Sequence, residues 1–342
     1  MNGYVGFDVS KEETSFCVMD NTGKILAQGK AFSDPKSLFE AMRTHTLCPE
    51  RIVLETGTLS NWLARGLREY GLPVDVIDAR QAHGVMKLQH NKTDANDAVL
   101  LAEISRTGFC RPVSVNSEDA QKHRMLIKAR RLLVCQRRDI QNAIRGFLCA
   151  LGIRFPKGSG KLGKRVQMAL MERPDLAPMI EPLQASVKAL EIQIKQFDLE
   201  VLKQTKASKP AQLLMTIPGV GPITALGFAA TIDNAARFKK SRAIGAYLGL
   251  TSRRYQSGEM DYSGRISKFG DSLLRSLLYE AANSLLTIVR KSHPLEDWAR
   301  RIRKRTSHKK ACVALARKLA VIMHRMLITG DTFRWPKKEA VA

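Results

Sequence analysis

The sequence predicts an α/β domain followed by a longer, mostly helical remainder. Strand and helix signals alternate over roughly the first third of the 342 residues, whereas residues 114–205 carry almost no strand signal. The charge divides near the same place. Residues 1–110 carry 12 basic and 14 acidic side chains, which leaves 44 basic and 18 acidic for the rest of a chain of net charge +24. A nearly neutral first third followed by a strongly basic remainder is a charge asymmetry that indicates an anionic partner.

Three strands open the chain, at residues 4–9, 14–19 and 25–28, with a turn at 21–24 before the third. The signals that follow are a helix at 33–46, a strand at 51–55, a helix at 61–70 and a strand at 73–78. A three-stranded meander followed by βα units is the order of an RNase H-like fold. We place this first domain at residues 1–113.

A helical region is predicted next, at residues 114–207. Its first long helix, 124–151, is basic and contains Arg130, Arg131, Arg137 and Arg138, and glycines at 158, 160 and 163 interrupt the pattern after it. Apolar residues then recur from Ile180 to Val201 in alternating steps of three and four, which is a coiled-coil seam of about three heptads. The seam favours self-association, and an intramolecular helical hairpin is the alternative.

The third segment, residues 208–342, is predicted to be mostly helical. Its Ile217-Pro218-Gly219-Val220-Gly221 turn resembles a helix-hairpin-helix motif, in which glycines let backbone N–H groups approach a phosphate; an ordinary interhelical turn is the alternative. Residues from 294 onward are helical and very basic, with a frayed tail from Trp335. Because cationic side chains displace the counterions condensed on phosphates, nucleic acid is the expected partner, ahead of a merely solubilising surface.

Composition limits the class of protein. The 44% hydrophobic and 26% charged fractions are typical of a folded chain. No apolar stretch approaches the ~20 residues of a membrane span, and the N-terminus lacks the blocks of a signal peptide. The six cysteines form no CxxC pair, which disfavours a zinc ribbon or a disulfide framework. We therefore expect a protein of the reducing cytoplasm, without a membrane partner.

Four carboxylates carry the first chemical signal. Asp8 lies in an apolar strand and Glu55 ends another, and a lone buried carboxylate needs a partner or a cation. Asp94 and Asp97 share one face at the start of a helix, where acids alone would indicate N-terminal capping. Acids in this order, on a strand, a strand and a helix, predict a two-metal RNase H-like site for Mg²⁺ or Mn²⁺. The competing interpretation is the phosphate loop of an actin-like or sugar-kinase ATPase at residues 6–11, but the sequence lacks the second glycine-rich phosphate hairpin of those folds.

Serines interleaved with arginines, lysine and glycines form the second signal, at residues 247–271. Arginine binds phosphate bidentately, and a flexible loop can present a hydroxyl to a phosphodiester. No histidine lies near this loop in the sequence, which disfavours a Ser-His-Asp hydrolase. A polar loop without chemistry is the alternative interpretation.

Together these motifs are recognisable. The resemblance is carried by Phe7-Asp8-Val9-Ser10-Lys11, Leu54-Glu55-Thr56-Gly57, Lys92-Thr93-Asp94-Ala95-Asn96-Asp97-Ala98, Ile217-Pro218-Gly219-Val220-Gly221, Leu248-Gly249-Leu250, Gln256-Ser257-Gly258, Gly264-Arg265-Ile266-Ser267-Lys268 and Leu274-Arg275. With these motifs in this order, the sequence resembles the DEDD transposases of insertion sequences. This is the family of bridge-RNA-guided recombinases, related to the Piv-type DNA invertases.

The resemblance implies a RuvC-like N-terminal domain, a helical coiled-coil linker and a C-terminal transposase domain. It implies that Asp8, Glu55, Asp94 and Asp97 bind metal. Ser257 matches the nucleophilic serine, which would form a covalent phosphoserine link to DNA, with Ser263 and Ser252 as fallback candidates. The family also implies a structured noncoding RNA whose two loops pair with donor and target DNA, so that base pairing specifies the sequence.

Recombination exchanges several strands, so we expect a homo-oligomer, a dimer or a tetramer, in the prokaryotic cytoplasm at the nucleoid. We hypothesise that the acids and Ser257 of one active site come from different protomers, and that Arg265 and Lys268 clamp phosphates. The other expected nucleic-acid contacts are Arg253, Arg254, Gly219, Gly221, Arg130, Arg131, Arg137 and Arg138. Two alternatives stay open: a RuvC-like metal-dependent junction nuclease that hydrolyses with water, and a noncatalytic nucleic-acid-binding protein whose acids are helix caps.

Overall fold

A computed structural model describes residues 2–45, 48–87, 93–109, 111–156, 162–289 and 293–334. The chain divides into two compact units, residues 1–116 and 117–342. Two sequence predictions, the glycines at 158–160 and the frayed tail from Trp335, lie outside the described residues.

The first unit is an α/β layer built on one six-stranded sheet. Its elements are β1 (Asn2–Val9), β2 (Glu13–Met19), β3 (Ile25–Phe32), α1 (Pro35–Arg43), β4 (Cys48–Glu55), α2 (Ser60–Glu69), β5 (Val74–Ile77), α3 (Ala79–Met86), α4 (Asp94–Thr107) and β6 (Pro112–Val113). The strand order is β3-β2-β1-β4-β5-β6. The first three strands pair antiparallel, whereas β1, β4 and β5 are parallel neighbours. This architecture is consistent with the predicted RNase H-like domain.

Alternation along β1 and β4 gives the sheet two buried faces. Val5 and Phe7 of β1 pack in one core with Leu38 of α1 and Leu63 of α2. Successive side chains of a strand point to opposite faces, so Gly6 and Asp8 face the other side. There α4 covers the sheet, and Leu101 of that helix packs in a second core with residues of β4 and β5.

The second unit is mostly helical. Its elements are α5 (Glu118–Ala150), α6 (Leu162–Glu172), α7 (Ala177–Ala207), α8 (Lys209–Leu214), α9 (Pro222–Ile232), α10 (Ala243–Tyr247), β7 (Ser252–Ser257), β8 (Met260–Ile266), α11 (Ser272–Thr287), α12 (Pro294–Arg305) and α13 (His308–Thr329). Apolar residues of α9, α11 and α13, among them Phe228, Leu278 and Leu319, form its main core. In the described part of the chain, no helix is both long and apolar enough to cross a membrane.

The predicted coiled-coil seam is filled within the chain. Two contacts show that helices α5 and α7 lie antiparallel. His123 of α5 is 3.4 Å from Gln204 near the end of α7, and Ile144 near the end of α5 packs with Ile180 near the start of α7. Ile180 and Val201 are buried in this arrangement. The seam therefore forms an intramolecular helical hairpin, the alternative that the spacing had left open.

Two elements differ from the sequence predictions. Helix α6 begins at Leu162 and continues through Gly163, where the glycine pattern predicted a break. The serine- and arginine-rich stretch, predicted as a loop, forms the antiparallel hairpin β7–β8. All six residues of β7 are exposed, so the stretch lacks the alternation of apolar and polar residues that identifies a strand.

Candidate active site

Asp8 and Glu55 lie at the same edge of the first unit's sheet. β1 and β4 pair in parallel with Phe7 opposite Leu54, so Asp8 and Glu55 are the next residues along two matched strands. Phe7 and Leu54 point into the core beneath α1 and α2. Both carboxylates therefore point to the opposite face, toward the side that α4 covers.

The N-terminus of α4 lies over that edge. Ser105 Oγ donates a hydrogen bond of 2.8 Å to the carbonyl oxygen of Arg51, four residues before Glu55 in β4. A β-carbon on Gly6 would lie 2.3 Å from the Ala98 carbonyl oxygen, nearer the start of the helix. The helix thus runs opposite to both strands. Eight helical residues rise about 12 Å and four strand residues about 13 Å, so Asp97 reaches the level of Glu55.

Asp97 and Asp94 have different environments. The Thr93 hydroxyl caps α4 by accepting a hydrogen bond from the Asn96 amide, so neither aspartate supplies the cap. Asp97 is only 6% exposed, whereas Asp94 is exposed. No described side chain donates a hydrogen bond to the Asp97 carboxylate or forms an ion pair with it. A carboxylate buried in this way is costly unless a cation accompanies it, which disfavours the capping interpretation.

The donor set fits a divalent cation by its chemistry. Carboxylates supply the hard oxygen ligands that Mg²⁺ prefers, and the sheet and α4 place three of the four predicted acids, Asp8, Glu55 and Asp97, toward one edge. Across the described ranges, no three acidic, histidine or cysteine side chains are gathered closely enough to enclose a metal ion. Lys92, which precedes this helix in the sequence motif, lies outside the described residues. Holding a metal would therefore require these side chains to close together.

Ser257 lies at the tip of the hairpin of the second unit. It is the last residue of β7, pairs with Met260 and is exposed. Gly258, which follows it, has φ +56°, a left-handed conformation that glycine adopts without the cost of a side chain. The serine hydroxyl is therefore presented on a protruding turn, as a nucleophile for a large substrate would be.

An aromatic pair shares a hairpin face with Ser257. Tyr255 and Tyr262 are opposite each other in the register, with ring centroids 5.0 Å apart and planes 20° from parallel. Residues two apart on a strand share a face, so Ser257 follows Tyr255 on this side. Ser263, opposite Arg254, lies on the other face. The sequence analysis missed this pair, because tyrosines in a polar stretch give no signal without the strand register.

The hairpin's basic residues differ in how far they are neutralised. Arg254 makes two hydrogen bonds to Asp261, at 2.8 and 2.5 Å. Arg253 donates to the Ser267 carbonyl oxygen at 3.3 Å. Arg265 and Lys268 are exposed and have no ion pair with a described carboxylate. Of the four predicted phosphate contacts, these last two are the most available.

The other predicted nucleic-acid residues occupy varied environments. A β-carbon on Gly219 would lie 2.8 Å from the Ala281 carbonyl oxygen, so this glycine allows α11 to pack closely, while Gly221 is exposed before α9. On α5, Arg130 pairs with Asp198 at 2.5 Å. The rest of the predicted α5 set comprises Arg138, which pairs with Asp139, the exposed Arg131 and the half-buried Arg137.

Comparison with known proteins agrees with these features. A family model for DEDD transposases of the IS110 type matches residues 5–152, and the model described as "Transposase IS116/IS110/IS902 family" matches residues 211–296. The transposase for insertion sequence element IS1328 of Yersinia enterocolitica is 30% identical over 96% of this chain and 98% of its own length. The transposase for insertion sequence element IS1111A of Coxiella burnetii is 28% identical over 96% of this chain and 91% of its own.

A pilin gene-inverting protein of Moraxella bovis is 22% identical over 96% of this chain and 97% of its own length. The predicted resemblance to DEDD transposases and their invertase relatives is therefore confirmed. The chain belongs to the IS110/IS116/IS902 family of insertion-sequence transposases, enzymes that cleave and rejoin DNA.

Proposed function

We propose that this transposase is an RNA-guided recombinase that cuts DNA through a covalent phosphoserine on Ser257, assisted by divalent cations at Asp8, Glu55, Asp94 and Asp97. The observation that carries the proposal is the carboxylate edge of the first unit. Glu55 ends β4, Asp8 lies one residue before the end of the parallel strand β1, and a third acid, Asp97, is buried over them without a described partner. Such an edge suits Mg²⁺ or Mn²⁺.

The proposed serine reaction consists of two phosphoryl transfers and needs no nucleotide cofactor. Ser257 Oγ bonds to the phosphorus of a phosphodiester, and the bond from phosphorus to one deoxyribose oxygen breaks. The serine proton passes to solvent, and the departing sugar oxygen takes up a proton as a hydroxyl. In rejoining, a strand hydroxyl attacks the same phosphorus and Ser257 Oγ leaves with a proton. A bound divalent cation would supply neutralisation of the charge that develops on the phosphate.

The hairpin residues bind and orient the strand in this scheme. Arg265 and Lys268 are exposed and available to hold phosphate oxygens. Tyr255 and Tyr262 present exposed ring faces on which an unpaired base stacks. Arg265 and the two tyrosines lie on the hairpin that carries Ser257, and Lys268 follows its second strand by two residues, so a strand held by them runs close to the serine hydroxyl.

A structured noncoding RNA is the proposed guide. The basic remainder of the chain supports a large polyanionic partner, since residues 111–342 hold 44 of the 56 basic side chains. In this scheme the protein binds phosphates, while RNA loops pair with donor and target DNA to set the sequence. The complex would act at the bacterial nucleoid.

A homodimer or tetramer is proposed for strand exchange. The coiled-coil seam is occupied within the chain, so self-association would use another face of the helical hairpin. Leu132 of α5 and Ile192 and Leu199 of α7 are 58–61% exposed, and apolar side chains of this size favour burial against a partner. Light scattering, which measures the molar mass in solution, tests this face. The wild type is expected to be an oligomer, and the variants Leu132→Gln and Leu199→Gln are expected to be monomers.

A covalent-trapping assay tests the chemistry. The protein is coexpressed with RNA from the flanks of its own gene, and labelled junction DNA and Mg²⁺ are added. A slow-migrating protein–DNA band on a denaturing gel is expected for the wild type and should be lost in Ser257→Ala and in Asp97→Ala. Ser263→Ala is the matched control and should retain the band. Cleavage without a band, persisting in Ser257→Ala, would instead identify a hydrolytic nuclease that uses water.

A further inference from the structure

A large groove lies beside the base of the hairpin in the second unit. Its volume is about 1060 Å³, at the upper limit of ordinary small-molecule pockets. One wall is the hairpin base, where Ser252 and Ile266 pair, and the opposite wall is α13. The groove is therefore large enough to hold several units of a polymer chain.

Basic side chains line both walls. Arg265 and Lys268 lie on the hairpin side, and Lys309, Lys310, Arg317 and Lys318 lie on α13. All six are exposed, and none forms an ion pair with a carboxylate of the described residues. No acidic side chain of the described chain lines the groove. Because most cations on a protein surface are balanced by nearby acids, this concentration of unpaired charge indicates a polyanionic ligand.

Two of these cations are held in place by their surroundings. Gly245 of α10 lies against Arg317, since a β-carbon there would be 3.2 Å from both Cγ and Nε of the arginine. Lys268 has φ +57°, a left-handed conformation that residues with a side chain rarely adopt. Its backbone amide donates to the Gly249 carbonyl oxygen at 3.1 Å, which fixes the backbone of this residue at the groove.

The floor of the groove is apolar. It contains Leu250, Val313 and Val321, and Trp298 of α12 lies beside it with Lys318 Nζ 4.1 Å from its ring centroid. Phosphate and sulfate ions alone would gain nothing from such a floor. A single nucleic-acid strand matches both parts, because its phosphates can meet the cationic walls while sugars and bases cover the floor.

We propose that this groove binds a single DNA strand and leads it to the hairpin tip. The hairpin forms one wall, so a strand leaving the groove continues along β7. Ser257 is five residues along β7 from Ser252, which pairs with Ile266 at the foot of the hairpin, and this is about 17 Å of strand. A strand stacked as in B-form DNA rises about 3.4 Å per nucleotide, so the groove would hold phosphates about five nucleotides from the bond that is cut. Only this spacing rests on the proposed role of Ser257; the binding itself does not.

The test measures binding in a Ser257→Ala background, so that its outcome is independent of the covalent chemistry. Lys309→Gln/Lys310→Gln is compared with Lys195→Gln/Lys206→Gln, which removes two exposed lysines of α7 away from the groove. The probes are a fluorescein-labelled 20-nucleotide DNA strand and an RNA of the same sequence, titrated with protein from 50 to 200 mM KCl. Thermal melting checks that each variant is folded.

The groove pair should weaken DNA binding about 25-fold at 0.1 M salt and reduce the salt slope by about 1.4, the loss of two phosphate contacts. The α7 pair should change neither. An unchanged DNA affinity of the groove pair overturns the proposal, whether or not RNA binding falls. An equal loss in the α7 pair also overturns it, since the effect would then come from overall charge. If DNA binding falls in the groove pair alone while covalent trapping fails, the groove stands and the serine mechanism does not.

Discussion

Replacing Gly6 with alanine should damage the carboxylate site without touching a carboxylate. The new β-carbon would lie 2.2 Å from the Ala102 amide nitrogen, 2.3 Å from the Ala98 carbonyl oxygen and 2.7 Å from the Leu101 carbonyl carbon. All three are backbone atoms of α4 and cannot rotate away. Ordinary contact begins near 3.4 Å, so the helix must retreat by about 1.2 Å, and Asp97 moves with it.

Overpacking of this kind costs about 1–3 kcal/mol, which corresponds to a Tm lowered by about 4–12 °C for a unit of this size. A displacement of about 1 Å in a catalytic group lowers the rate by about 100-fold. Calorimetry gives the first quantity, and cleavage of junction DNA well below Tm gives the second. DNA binding should be retained, because α4 carries no predicted phosphate contact.

Gly84→Ala is the matched control for Gly6→Ala. It makes the same chemical change in α3 of the same unit, where no atom lies within 4 Å of the new β-carbon. It should be neutral or raise stability by up to about 1 kcal/mol, because alanine is the better helix former. Wild-type Tm and cleavage rate in Gly6→Ala would refute the close packing of α4 on β1 as the device that positions Asp97.

Three further predictions concern other sites. A Mg²⁺ concentration of 100 times its Kd should stabilise the wild type by about 2.7 kcal/mol, whereas in Asp97→Asn Mg²⁺ should no longer raise Tm. If calorimetry shows the same rise in Tm for both proteins, Asp97 does not bind the metal. Gly264→Ala places a β-carbon 3.0 Å from Tyr255 Cε2, so it should displace that ring and weaken single-strand binding several-fold by fluorescence anisotropy, and an unaltered Kd would exclude a stacking role. Burial raises the pKa of the Cys17 thiol to about 11, so iodoacetamide at pH 8 should modify the exposed Cys149 and spare Cys17 in a mass spectrum; equal labelling would show that β2 is not packed as described.

The first unit was the more predictable half of the fold. Its strands are apolar runs bounded by turn residues, and the predicted strands at 4–9 and 14–19 fall within β1 and β2. The hairpin was missed for a physical reason, since both of its faces are exposed and no apolar period marks them. Helix α6 was missed because Gly163 was interpreted as a break, whereas packing of Val166 and Leu170 against α5 and α7 stabilises the helix.

The sequence by itself determined which residue types are available: four acids in order, a serine among arginines, and a basic remainder. Their motifs also predicted the family, which the comparisons confirmed. Only the tertiary structure decided which groups share an environment. Asp94 and Asp97 are equivalent by spacing, yet packing of α4 on the sheet buries one and exposes the other. The spacing of the coiled-coil seam predicted that another helix packs against it, and the tertiary structure shows that this helix is α5 of the same chain.

The basic groove also shows what the sequence reveals and what only the tertiary structure decides, here for residues far apart in the chain. Arg265 and Lys318 are both visible in the sequence as exposed cations, but 52 residues separate them. Folding of the hairpin against α13 brings them to one cavity, with Trp298 and an apolar floor between the walls. Periodicity reports only on neighbours within one element, because a helix or strand repeats over a few residues. Contacts between distant elements depend on how whole cores pack, and that information is absent from any local pattern.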